Sequence, residues 1–579
     1  MKFIINFLKL LSSKDRLYFY FLIAAAIINV FLELLSIGMV IPLIGLILNP
    51  NIVVDKISNY FPNFEFLNII SDVNYTSYIF YFLVIFFLLF LFKNIFIFIY
   101  FYLQNKFVQK VEQDLSRRIL KKYLLQEYSF FVENNSSSLT SKLSADLLNF
   151  TRGFVGPLIT LISEIMIVIG FCSIIIIFDL VKVGLIFLFF FTITAAFLKV
   201  IGNLSKKWGK QRKYFDSVKL DILKTTFLNI KSIILDNKYE KKIDDFFLTT
   251  KKLANLQRKI ITTNVIPKIS FELIGILSIV IVLYYLITNN FSKEYIITTT
   301  GFFIAVAYRI IPSFQRIIFS YQTISFSKVV LKSISDDLKL NDISDYSKEK
   351  IGFKENIKLN NLSFSHKNRS RLILDNINLE IKAGEIVGIF GESGAGKSTL
   401  VDIISGLLKP SKGELLIDKE IINSENLLRK WQNEIAYVTQ NTALFKGSLK
   451  NNIIFSDITD KYDQNLFKKV IKQSQIHKFL NDLSEGYETD IGELGIKLSG
   501  GQKQRIGIAR ALYKNPKFLI FDEATNALDT ISEKQIIDTI FEIKSNFTTI
   551  IISHKKNLIQ RCDKIYQIED GKVNLVSKP

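Results

Sequence analysis

Six apolar stretches, each long enough to cross a lipid bilayer, decide what this chain can become. A spanning helix needs about 20 residues, because the hydrocarbon core is about 30 Å thick and a helix rises about 1.5 Å per residue. The stretches lie near residues 17–48, 77–103, 155–178, 183–202, 266–288 and 295–321. The first exceeds one crossing and contains Pro42, which predicts a break or an extension beyond the membrane. The third and fourth are separated by residues 179–182, which predicts a tight turn. Lys2, Lys9, Lys14 and Arg16 precede the first run, which is too long for a signal-peptide core and reads as a retained membrane helix.

Composition agrees. Hydrophobic residues make up 49% of the 579, and the mean hydropathy is +0.28. Most of the 51 Phe precede residue 330 or so, so the two halves differ physically. The formal net charge of +20 is read first as cytoplasmic Lys and Arg, following the positive-inside rule. Residues 104–154 and 203–265 are rich in these, whereas residues 49–76 carry one Lys and three acids, Asp55, Glu65 and Asp72. This places the N-terminus, both basic segments and the C-terminal part in the cytoplasm. The six spans exclude a soluble nucleic-acid-handling protein, so no nucleic-acid partner is expected. Two distant cysteines and three scattered histidines exclude a disulfide framework or a metal cluster of those residues.

The basic segments have apolar residues at helical spacing, as in 107–125, so the membrane helices are expected to continue into the cytoplasm. The chain turns polar at Asp336, Asp337, Asp342 and Asp345. The resulting division is a membrane domain at 1–335, a linker at 336–354 and a second domain at 355–579. In the second, short β-rich runs alternate with helical ones, which predicts an α/β domain with a largely parallel sheet.

That domain carries the chemistry. Residues 391–398, GESGAGKS, fit a phosphate-binding loop between an apolar strand, 385–390, and a helix, 398–408. Gly391, Glu392, Ser393, Gly394, Ala395 and Gly396 can turn backbone N–H groups towards phosphate oxygens at a helix N-terminus. Lys397 supplies a charge to the β/γ-phosphates, Ser398 a hydroxyl to Mg²⁺, and Thr399 continues the helix start. An apolar strand, FLIF at 518–521, ends in Asp522, which can hold Mg²⁺ through water, and Glu523, which can orient an attacking water. Ser499, Gly500, Gly501 and Gln502 in LSGGQ offer further donors at the start of another helix.

In this order the motifs resemble the nucleotide-binding domain of ABC transporters, over about residues 355–575. Residues 391–398 resemble its Walker A loop, Leu498 to Gln502 its signature, and Asp522 and Glu523 its Walker B pair. Gln440 in AYVTQ resembles the Q-loop glutamine, which adds a Mg²⁺ ligand; Glu493 in TDIGELG resembles the exporter X-loop glutamate. Ala527, Leu528 and Asp529 resemble the D-loop, and His554 the H-loop histidine. The resemblance implies an ATP hydrolase with catalytic Glu523, His554 and Gln440, using ATP and Mg²⁺. It also implies a homodimer, because each phosphate loop in the family faces the other domain's signature. One position departs from the pattern: His366 in NLSFSH stands where an adenine-stacking aromatic residue is usual.

Six helices followed by one such domain resemble an ABC exporter half-transporter. The expected fold class is therefore an α-helical transmembrane domain of six helices, ABC exporter type, plus an α/β P-loop nucleotide-binding domain. Coupling helices are expected near residues 134–139 and 226–233. Glu33, Lys93, Glu164, Lys268, Glu272, Arg309 and Arg316 fall within the apolar stretches, where charge is costly. Arg309 and Arg316 are two helical turns apart on one face, with Pro312 between them. With Lys268 they could form a cationic cavity for phosphate; ion pairing, for instance with Glu272, is the plainer alternative. FLELLSIGMVIPLIGLIL (31–48), VIPKISFELIG (265–275) and AVAYRIIPSFQRIIFSY (305–321) are similar to PglK-type flippases of bacterial protein glycosylation. That resemblance implies a bacterial inner-membrane flippase for an anionic polyprenyl-pyrophosphate-linked oligosaccharide, with Lys268, Arg309 and Arg316 lining the cavity. The alternative is an exporter of another amphipathic substrate: lipid A, a drug or a peptide. The outer residues 60–70 read equally as an interfacial helix or a loop.

Overall fold

The computed structural model describes residues 2–40, 42–44, 75–177, 181–341, 349–365, 372–455, 462–525, 530–542 and 547–576. The chain forms two compact units: Met1–Leu125 with Asn134–Asn341, and Gln126–Glu133 with Asp342–Pro579.

Among the described residues the first unit contains six long helices: α1 (Ser13–Gly38), α2 (Tyr75–Leu124), α3 (Gly156–Ile177), α4 (Val181–Leu228), α5 (Tyr239–Thr288) and α6 (Lys293–Leu338). Ser12 caps α1 and Ser292 caps α6, each side chain accepting from the backbone N–H three residues on. Among the described residues five helical stretches are long and apolar enough to cross a membrane: Ser13–Ile44, Ile79–Leu124, Ser136–Ser173, Tyr239–Thr288 and Tyr295–Leu338. The expected fourth stretch, 183–202, lies on α4. α2 and α5 have 50 residues each, about 75 Å of helix, more than twice a bilayer core. The continuation of spanning helices past the membrane is thus as the helical spacing predicted.

Pro267 and Pro312 sit inside α5 and α6 without ending them. Packing against neighbouring helices makes the missing backbone bond tolerable in such helices. α1, α3, α5 and α6 share a core around Ile37, Phe171, Phe271 and Phe314, with the last two rings stacked at 5.7 Å. Many other apolar side chains on α2 and α5, such as Phe87, Phe98, Leu273 and Tyr284, are exposed, as lipid-facing positions require.

The second unit contains two sheets. β1 (Asn356–Phe364), β2 (Leu374–Lys382), β4 (Lys412–Ile417) and β5 (Glu420–Ile421) form one, in the order β2-β1-β4-β5 and antiparallel throughout. β3 (Ile386–Gly391), β6 (Ile435–Val438), β7 (Phe518–Asp522), β8 (Thr548–Ile552), β9 (Lys564–Glu569) and β10 (Lys572–Val576) form the other, in the order β10-β9-β3-β8-β7-β6. It is parallel except for the final hairpin. The expectation of a largely parallel sheet holds for this one and missed the antiparallel one. The reason lies in burial: β7 and β8 are covered on both faces and read as continuous apolar runs. β1 and β2 alternate buried and open positions like many half-buried strands.

A short helix, Tyr128–Glu133, belongs to this second unit. Just before it, Glu127 pairs with Lys409 at 2.6 Å, and Lys409 also meets Glu425 at 2.9 Å. The segment that joins the nucleotide unit thus precedes the 134–139 stretch expected for coupling; helix Ser136–Ser141 stays in the membrane unit.

Candidate active site

The parallel order brings the carboxyl ends of β3, β7 and β8 together, the usual place for a ligand crevice. β3 ends at Gly391, and the chain loops into helix α7 (Lys397–Ile404). Gly391 is required by its surroundings: a Cβ there would stand 2.2 Å from the Ile568 carbonyl oxygen. Gly396 starts the helix at φ +102°, a left-handed conformation that glycine tolerates without penalty. Lys397 reaches back over the loop, its Nζ donating to the carbonyls of Gly391 at 2.7 Å and Glu392 at 2.9 Å. Burial pushes its pKa down, against the opposing pull of Glu523 and Asp522.

A cleft of about 860 Å³ opens over the loop. Glu392, Ser393, Gly394, Ala395, Gly396, Lys397, Ser398 and Thr399 line it from below, with Gln440, Asp522, Glu523 and His554 at its side. Glu523 follows the end of β7 at φ +49°, an uncommon conformation for a non-glycine residue and one that functional sites favour. Gln440 Nε2 donates to Glu523 Oε2 at 2.8 Å, and His554 Nε2 lies 3.0 Å from Glu523 Oε1. Two residues far apart in sequence therefore converge on one carboxylate.

Asp522 is the carboxylate in this cleft that could hold a cation. Burial raises its pKa, while donation from Tyr437 and the charge of Lys397 pull it down. A hydroxyl at Ser398, the free amide oxygen of Gln440 and this carboxylate form an all-oxygen donor set, which suits Mg²⁺. When bound, such an ion would supply positive charge against the phosphates of ATP. The chain's own groups are placed for the remaining roles: loop N–H groups and Lys397 could hold the phosphates, and Glu523 could orient water for attack.

Two residues beside Asp522 escaped the sequence reading. Tyr437 on β6 donates from Oη to Asp522 Oδ2 at 3.0 Å. Asp402 on α7 is pushed from 3.8 to about 6 by burial and by the Asp522 charge. Leu372, Ile373 and the Glu569, Asp570, Gly571 turn also line the cleft, and read in sequence as ordinary strand and turn positions. His366, expected at adenine, and Ala527, Leu528 and Asp529 of the expected D-loop lie outside the described residues.

The sign of the Asp402 shift makes a prediction. Its folded pKa lies above the ordinary value, so folding favours the protonated form and loses stability as pH rises from about 4 through 6. Asp402→Asn is expected to raise stability near pH 7.5 by about 1 kcal/mol, after allowing for partial solvent screening, with the gain fading towards pH 4. Thermal unfolding of both proteins across that range checks it.

Ser499, Gly500, Gly501 and Gln502 do not line this cleft. They open helix Gly500–Tyr513, where Ser499 Oγ accepts from Gln502 N at 3.3 Å and Gln502 Oε1 accepts from Ser499 N at 2.8 Å. This capping box shapes the helix start and leaves Ser499 and Gly500 exposed.

Residues 374–526 match the family model for the ABC transporter domain, and residues 51–308 match that for the ABC transporter transmembrane region. The chain is an ABC exporter half-transporter. The ATP-dependent lipid A-core flippase of Francisella novicida is 29% identical over 487 residues, 82% of this chain and 80% of that protein. The lipid A-core flippase of Escherichia coli K12 is 28% identical over 473 residues, 80% and 79% of the two chains. ABC transporter B family member 15 of Arabidopsis thaliana is 40% identical over 213 residues, 37% of this chain and 17% of that one. A solved structure of a bacterial Atm1-family ABC exporter with ATP bound has the same fold, with a TM-score of 0.79 over 96% of this chain and 95% of that one, at 21% identity. The half-transporter is thus a multi-pass membrane ATP hydrolase. The two relatives matched along four-fifths of the chain are lipid A-core flippases, not the oligosaccharide flippases that its membrane motifs resemble.

Inside the membrane unit, the charges expected to form a cationic cavity are largely paired. Arg309 Nε meets Glu33 Oε2 at 2.9 Å, and Lys93 approaches the same oxygen at 3.7 Å. Arg316 Nε meets Glu164 Oε1 at 2.5 Å, and Arg309 Nη1 lies 3.9 Å from Glu164 Oε2. The partners are therefore Glu33 on α1 and Glu164 on α3, in place of the expected Glu272. Lys268 is exposed on α5 and takes no part in this network. Three cations against two carboxylates leave one excess positive charge, smaller than the cluster of free cations expected. Arg316 is the most open member, its side chain 41% exposed.

Proposed function

We propose that this half-transporter works as a homodimeric, Mg²⁺-dependent, ATP-driven flippase of the bacterial inner membrane, moving a phosphorylated lipid from the inner to the outer leaflet. The observation that carries this reading is the similarity to lipid A-core flippases along four-fifths of both chains. It favours a lipid A-type substrate over a polyprenyl-pyrophosphate-linked oligosaccharide. Both lipids present phosphate to the membrane interior, and the excess positive charge near Arg316 supports either. A homodimer would supply the missing signature: Leu498 to Gln502 of a second copy would close the cleft over ATP.

The test is reconstitution into proteoliposomes with fluorescent lipid A-type, polyprenyl-pyrophosphate and uncharged lipids. ATP-dependent movement of the lipid A-type probe is the expected result; movement of the polyprenyl probe alone would restore the glycosylation reading, and equal movement of the uncharged lipid would sink both. Arg316→Ala is expected to slow flipping of the phosphorylated lipid by about tenfold, the value of one charge-assisted contact, while basal ATPase changes less than twofold. Unchanged flipping would return Arg316 to ion pairing alone.

A further inference from the structure

Asp522 ends a strand, and a carboxylate in that position can turn either oxygen, or both, towards a cation. The neighbouring strand restricts that freedom. β6 pairs in parallel with β7, with Tyr437 opposite Ile520. Ile520 and Asp522 point to the same face, because side chains alternate along a strand. Tyr437 is therefore the diagonal cross-strand neighbour of Asp522, within reach of a long side chain. Its ring packs against the core that includes Trp431 and Phe518, which anchors the hydroxyl. That hydroxyl donates to Asp522 Oδ2 at 3.0 Å.

We propose that Tyr437 is a positioning residue for the metal site: by donating to Oδ2, it fixes the turn of the carboxylate and favours Oδ1 of Asp522 as the oxygen presented to the cation. The inference rests on the reading of Asp522 as the Mg²⁺ carboxylate. One-sided presentation matters for Mg²⁺, which keeps several waters and demands near-octahedral order, and would hinder a cation that prefers both oxygens of a carboxylate. Outer-shell groups of this kind typically alter metal affinity by 10- to 100-fold. Tyr437→Phe keeps the ring and its packing and removes only the donor.

The experiment uses the full-length protein carrying Glu523→Gln, so that ATP stays intact, with Mn²⁺ as a spectroscopic stand-in for Mg²⁺. Adding Tyr437→Phe is expected to weaken ATP-dependent Mn²⁺ binding, read by electron paramagnetic resonance, by about tenfold at the low end of that range. Binding of a fluorescent ATP analogue without metal is expected to stay unchanged. In a parent that also carries Asp522→Asn, Tyr437→Phe is expected to have no further effect, because its target has gone. With Glu523 intact, Tyr437→Phe should raise the KM for Mg²⁺ about tenfold and leave kcat at saturating Mg²⁺ within about twofold. Unaltered Mn²⁺ affinity would overturn the inference, as would the same loss in the Asp522→Asn background. Loss of metal-free nucleotide binding would also overturn it, since the hydroxyl would then be serving the fold. If the parent itself shows no ATP-dependent Mn²⁺ binding, the metal-site reading fails, and this inference with it.

Discussion

Glu523→Gln is expected to lower ATP turnover by about 10²- to 10⁴-fold, the usual worth of a positioned general base, while ATP binding stays near normal. Gln has almost the shape of Glu, and its side-chain oxygen can still accept the Gln440 amide at the position now 2.8 Å away. It has no charge to orient and polarise water, and it cannot take up a proton. Binding rests on other groups: the loop N–H donors, Lys397 and Ser398, none of which the substitution touches. The two effects should therefore separate. Phosphate release in detergent measures the first, and titration with a fluorescent ATP analogue the second. Near-normal phosphate release would remove Glu523 from its assigned role. A matching loss of nucleotide binding would show that the carboxylate holds the loop, an effect the distances do not predict.

The phosphate loop was legible because everything it needs is local: a strand, two required glycines, a lysine and a helix start lie within a dozen or so residues. The convergence of Gln440 and His554 on Glu523 was legible only through motif order, since three different strands deliver them. Tyr437 and Asp402 were invisible for a related reason. AYVTQ gives Tyr437 the look of ordinary strand filling, and Asp402 is one polar residue on a helix. Their roles arise from strand register and from the helix packing over the sheet. In the membrane unit the pattern located the charged residues and not their partners. The sequence offered Glu272 as a partner for one of the arginines, whereas helix packing supplied Glu33 and Glu164 from α1 and α3.

Removing Glu33 tests what that packing means. Glu33 is 3% exposed and holds both Arg309 and Lys93. Glu33→Gln would leave two cations in a buried, low-dielectric setting with no carboxylate between them, and the remaining carboxylate, Glu164, already faces Arg316. Breaking a buried pair from one side typically costs about 3–5 kcal/mol, because the surviving charge is left uncompensated. The variant is therefore expected to unfold at a clearly lower temperature in detergent, or to accumulate poorly. Glu33→Gln combined with Arg309→Gln restores the original charge balance and should recover most of that loss. The rescue separates two roles for Arg309. If the double variant is stable and still flips lipid, Arg309 is a counter-ion for Glu33, and the positive charge left for a phosphate belongs to Arg316. If it is stable but inert while ATP is still hydrolysed, Arg309 belongs to the transport path, and its pairing with Glu33 holds it ready for substrate. No stability loss on removing Glu33 would show that the network is open to water, which its burial does not predict.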